Sequence, residues 1–75
     1  MTATPETLKD DVSQYVEVVR QMERTHDYMT LRALEYRRRG SHNALSANHG
    51  DSVSDLVALL VDQGLNSDEI CAYLW

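Results

Sequence analysis

The chain holds one cysteine, one proline, three glycines and no phenylalanine in 75 residues. A single cysteine excludes an internal disulfide, the usual reinforcement of a chain too short to bury a large core. A domain this small buries only about 60% of the surface its unfolded chain exposes, which leaves oligomerisation as a source of stability. Long apolar runs are also missing. The longest, Leu56 to Val61, has six residues against the roughly 20 that cross a bilayer. The first residues show neither the basic start nor the apolar run of a signal peptide. The expectation is a cytoplasmic protein with no membrane segment.

Chemistry-bearing patterns are as sparse. There is no Gly-rich phosphate loop and no nucleophile elbow. His26, His42, His49 and Cys71 are the soft-metal candidates, but they do not come as the close pairs that zinc sites use. Cys71 falls on the apolar side of a short helix, where a thiol behaves as a small hydrophobe. Acid pairs such as Asp10-Asp11 and Asp68-Glu69 sit in or near first helical turns, where they complement the helix dipole without catalysis. The expectation is a non-enzymatic protein with no catalytic residues, no cofactor and no metal.

Basic residues are absent from the last third. Residues 1–49 carry all seven Lys and Arg against seven acids, whereas residues 50–75 carry five acids and no base, which gives the net charge of −5. A free acidic patch repels phosphate, so nucleic acid is disfavoured as a partner.

What the chain does have is helical periodicity. Leu8, Val12, Tyr15, Val19, Met22, His26, Met29, Ala33 and Tyr36 alternate at spacings of four and three, a heptad seam with one polar position. Thr4 and Pro5 read as N-cap and first helical residue, and Arg37, Arg38, Arg39 and Gly40 as a basic last turn and C′ glycine. The pattern predicts one long helix over about 5–39. The competing reading is two shorter helices, with Thr25, His26 and Asp27, all weak helix formers, as the kink. A single helix of that length would be roughly 50 Å long and would outrun its domain, so its apolar seam predicts a homodimer through the long helix.

Residues 40–50 read as a loop pinned by Leu45. Val53, Leu56, Val57, Leu60 and Val61 form the buried stripe of a second helix over about 52–63, stopped by Gln63-Gly64. Asn66 and Glu69 form a capping box, with Leu65 and Ile70 as its apolar staple, so a third helix covers about 67–74. The stretch Leu59 to Ile70, with Leu74, resembles the first helix, turn and second helix of the DNA-binding domain in LuxR-type regulators: a leucine pair, Gly-Leu, then Glu-Ile. In that family a following helix reads the DNA. Here the stretch carries no Lys or Arg, so it is taken as a packing hairpin and no family is assigned.

The fold class expected is therefore all-α: one domain over 1–75, with a tail at 1–4, a long N-terminal helix and a C-terminal two-helix hairpin. The function expected is a protein-protein interaction module, a small regulator, adaptor or phage-type inhibitor. Its partner-binding residues are expected to be Arg32, Arg37, Arg38, Arg39, Tyr73 and Trp75, since Arg, Tyr and Trp dominate binding hot spots. The Arg cluster could equally cap a helix dipole or pair with the acidic last third of a second subunit. The alternative function is a small dimeric DNA-binding regulator that presents Arg37–Arg39 to phosphates.

Overall fold

The computed structural model describes residues 5–74 and contains four helices and no strand among them: α1 (Pro5–Arg24), α2 (Tyr28–His49), α3 (Asp51–Asp62) and α4 (Ser67–Leu74). α1 packs along α2 and against α4, and α3 packs along α2. The buried core draws on all four: Leu8, Val12, Tyr15 and Val16 from α1, Leu45 from α2, Val57, Leu60 and Val61 from α3, and Ile70 from α4.

The long helix is broken. Residues 25–27 are not helical, and Asp27 caps a new helix by accepting from the Thr30 backbone N–H at 2.8 Å and from its hydroxyl at 2.7 Å. Those two bonds hold the Asp27 carboxyl below the usual carboxylate range. A break lets α2 fold back on α1, so the seam residues Leu8, Val12 and Tyr15 are buried within their own chain. The longest dimension of the protein is 38 Å, shorter than the roughly 50 Å of an unbroken 35-residue helix. No protruding helix remains to demand a partner, and α1 is no longer than α2.

The expected stop at Gly40 and the loop over 40–50 are also absent, because α2 runs through to His49. Burying Leu45 completely is worth about 1.5–3 kcal/mol, more than the roughly 1 kcal/mol that a mid-helix glycine costs. The true turn is at Gly50, whose φ of +99° suits glycine and whose N–H closes α2 on the Ser46 carbonyl at 2.9 Å. Arg37–Arg39 are consequently mid-helix and do not complement a helix end. A Cβ placed on Gly40 meets nothing within 4 Å. Gly40→Ala should therefore raise stability by about 0.4–1 kcal/mol, read as an increased urea midpoint with unchanged slope.

The C-terminal half follows the sequence closely. α3 and α4 differ from the expected bounds by at most one residue, although α3 starts at Asp51 without a side-chain cap. The capping box forms as written: Glu69 N–H donates to Asn66 Oδ1 at 2.8 Å, and Asn66 N–H to Glu69 Oε1 at 3.2 Å. Gln63 and Gly64 end α3. Arg20 of α1 then reaches the exposed end of that helix, donating to the Leu65 carbonyl at 2.8 Å. This contact satisfies a carbonyl in the turn between α3 and α4.

Candidate functional site

The break in the long helix divides the heptad seam in two. Leu8, Val12 and Tyr15 are buried, and Val19 and Met22 partly so, whereas His26, Met29, Ala33 and Tyr36 face solvent. α2 turns Leu34 and Leu45 inward instead. Its outward side is left with Tyr28, Met29 and Tyr36 at 69%, 73% and 82% exposure. Large apolar and aromatic side chains so exposed on one helix are the feature that the fold itself does not use.

Arginines flank them. Arg32, Arg37 and Arg39 are exposed on the same stretch of helix, and no ion pair among the described residues engages Arg32 or Arg37. Arg39 comes within 3.5 Å of Glu35. Arg38 differs from its neighbours. Its Nε and Nη2 donate to the two carboxylate oxygens of Glu35 at 2.9 and 2.6 Å, a bidentate fork. Glu35 first, and the Tyr15 oxygen beside it, stabilise the Arg38 cation further, and the Arg38 bond holds Glu35 below the usual carboxylate range. Arg38 is thus a structural residue, and the cluster Arg37–Arg39 does not present three free cations.

No family model, curated protein or solved structure matches this chain. The LuxR-type resemblance of the α3–α4 segment gains no support from them, and its Leu60, Val61 and Ile70 serve the core of this fold.

The remaining expected site residues fall elsewhere. Tyr73 is exposed on α4, and Trp75 lies outside the described residues. His26 sits in the break, so it forms no buried seam layer. His42 Nε2 is 3.8 Å from Asp55 Oδ1, and His49 Nε2 is 2.8 Å from Asp11 Oδ2. The second pair ties α2 to α1, and the first is a loose contact between α2 and α3. Among the described residues no group of three His, Cys, Asp or Glu side chains converges as a metal site would require, and none of the described helices is long and apolar enough to cross a membrane. Burial raises the Cys71 thiol above its ordinary pKa, the opposite of an activated nucleophile.

Sequence reasoning missed Leu59 as an exposed apolar residue. Leu59, at 54% exposure, stands on α3 between exposed Asp55 and Asp62. Its spacing from the buried stripe of Val57, Leu60 and Val61 carried that information, since residue 59 lies across the helix from them.

Proposed function

We infer that this protein is a non-enzymatic interaction module that binds an acidic protein surface through the outward face of α2. The observation that carries the reading is the pairing on one helix face of exposed Tyr28, Met29 and Tyr36 with exposed Arg32 and Arg39. Tyr and Arg are enriched in binding hot spots because each combines apolar area with a polar end. The same face carries no exposed unpaired carboxylate, in a chain whose net charge is −5, so its field selects a negative partner. The exposed apolar area of Tyr, Met and Ala between the arginines favours a protein partner over phosphate, which rewards only charge and hydrogen-bond donors.

The test is affinity capture from the source cell with wild type, Tyr36→Ala and Arg32→Glu, all checked for equal helicity by circular dichroism. A protein retained by wild type and lost with both variants is the expected result. Equal retention by all three would refute the face. Tight duplex DNA binding that falls steeply with salt and disappears with Arg37–Arg39 replaced would shift the function to the DNA-binding alternative.

A further inference from the structure

Two exposed triplets on adjacent helices share one spacing and carry opposite charge. On α2 they are Arg32, Tyr36 and Arg39; on α3 they are Asp55, Leu59 and Asp62. Each is a charge, an apolar residue and a charge at i, i+4 and i+7, so each lies on one helix face, with its two charges roughly 10 Å apart. Tyr36 and Leu59 are among the most exposed large apolar side chains in the described structure.

The helices that bear them run antiparallel and side by side. Ser46 bonds Asp51 across the turn, His42 lies 3.8 Å from Asp55, Arg39 and Ala58 line one hollow, and Leu31 and Asp62 line the next. Arg39 is therefore level with Ala58 and less than one turn from Asp55, and the same register puts Tyr36 and Arg32 less than one turn from Leu59 and Asp62. Between the ridges runs a valley, widest at a hollow of about 460 Å³ bounded by Val19, Met22, Leu31 and Ala58. Both ridges and the valley form one surface.

We propose that a second copy of this chain docks on that surface, with a twofold axis along the α2–α3 valley. Rotation by half a turn about such an axis exchanges the ridges without changing their level along the helices. It places α2 of each copy over α3 of the other, with Arg32, Tyr36 and Arg39 each less than one turn from Asp62, Leu59 and Asp55 of the other copy, an offset that the long arginine side chains span. An isologous interface requires a self-complementary patch, and these triplets supply one in sign, size and spacing. Local partners do not consume the charges. Arg39 near Glu35 and Asp55 near His42 are loose contacts at 3.5 and 3.8 Å in which Arg39 and Asp55 themselves stay largely exposed, and such surface pairs contribute little. Glu35, the one acid beside the basic triplet, is already held by Arg38. This dimer rests on reading α2 as a docking face and names the second copy as the acidic surface it takes. It differs from a dimer through the heptad seam, half of which the fold buries.

Charge reversal with complementation tests it. One variant carries Arg32→Glu and Arg39→Glu, the other Asp55→Lys and Asp62→Lys, all at exposed positions, with circular dichroism confirming the fold. Sedimentation equilibrium at micromolar protein and low salt is expected to return twice the 8.6 kDa chain mass for wild type. Each variant alone opposes like charges at both contacts and should dissociate by more than about tenfold in concentration. An equimolar mixture of the two restores attraction at both contacts and should recover the dimer mass. Monomeric wild type, or a mixture that stays monomeric, overturns the proposal. If wild type is monomeric yet retains a cellular protein that Tyr36→Ala loses, the docking face stands and the second copy is not its occupant.

Discussion

Leu45→Ala is expected to destabilise the protein by about 2–5 kcal/mol and to leave a large fraction of molecules unfolded at 37 °C. Leu45 is fully buried and is the residue through which α2 enters the four-helix core. Removing its outer carbons forfeits their transfer energy and opens a void that Val12, Val57 and Ile70, also fully buried, can only partly fill. A chain of this length has roughly 4–11 kcal/mol of total stability, so the loss is a major share of it. The effect should also spread. Without Leu45 the last turns of α2 lose the burial that outweighs Gly40, so helicity should fall beyond what a void alone predicts. Thermal and urea unfolding followed at 222 nm measure both. A melting temperature equal to wild type would show that residues 40–49 are the loop that their composition suggests.

The second large effect is expected at His49. Its side chain is 6% exposed and faces Asp11 at 16%, with Asn48 Nδ2 also donating to the same carboxylate oxygen at 3.2 Å. A hydrogen bond to a charged acceptor in such a setting is worth about 1.5–3 kcal/mol, and its loss leaves Asp11 partly buried with one weak donor. His49→Ala should therefore cost an amount in that range, and Asp11→Ala a similar one. The double variant should cost less than the two added together, because each single change already removes the shared interaction. Additivity within about 0.5 kcal/mol would mean that the two groups are adjacent without being coupled. The pair has a structural consequence too, since it fastens the C-terminal end of α2 to α1 at the opposite end from the break at 25–27.

The candidate site was legible in its parts. Arg32 and Arg39 were expected as binding residues from their type and Tyr36 as a seam residue from its heptad position, with the acidic last third as a counterpart to the arginines. Their equal spacing to Asp55, Leu59 and Asp62 is written in the sequence, but nothing in a one-dimensional pattern says that α2 and α3 lie side by side and antiparallel. Arg38 shows the same limit. It looks like its neighbours, and only the reach of Glu35 one turn earlier and Tyr15 across the core removes it from the docking face.

The sequence by itself determined that the chain is all helical and where its last two helices begin and end, because those boundaries are set locally by Gly64, the Asn66–Glu69 capping box and a stripe of branched apolar residues. Tertiary structure decided the rest. The heptad from Leu8 to Tyr36 fits either a long helix or a hairpin, since both preserve its local spacing. The hairpin buries half the seam inside one molecule, while Asp27 supplies the cap that makes the break tolerable. Gly40 and the polar residues after it favour a loop locally, yet the full burial of Leu45 outweighs that preference. Local rules fix an element where its end is built from neighbours in sequence; where two continuations cost nearly the same, distant apolar burial chooses between them.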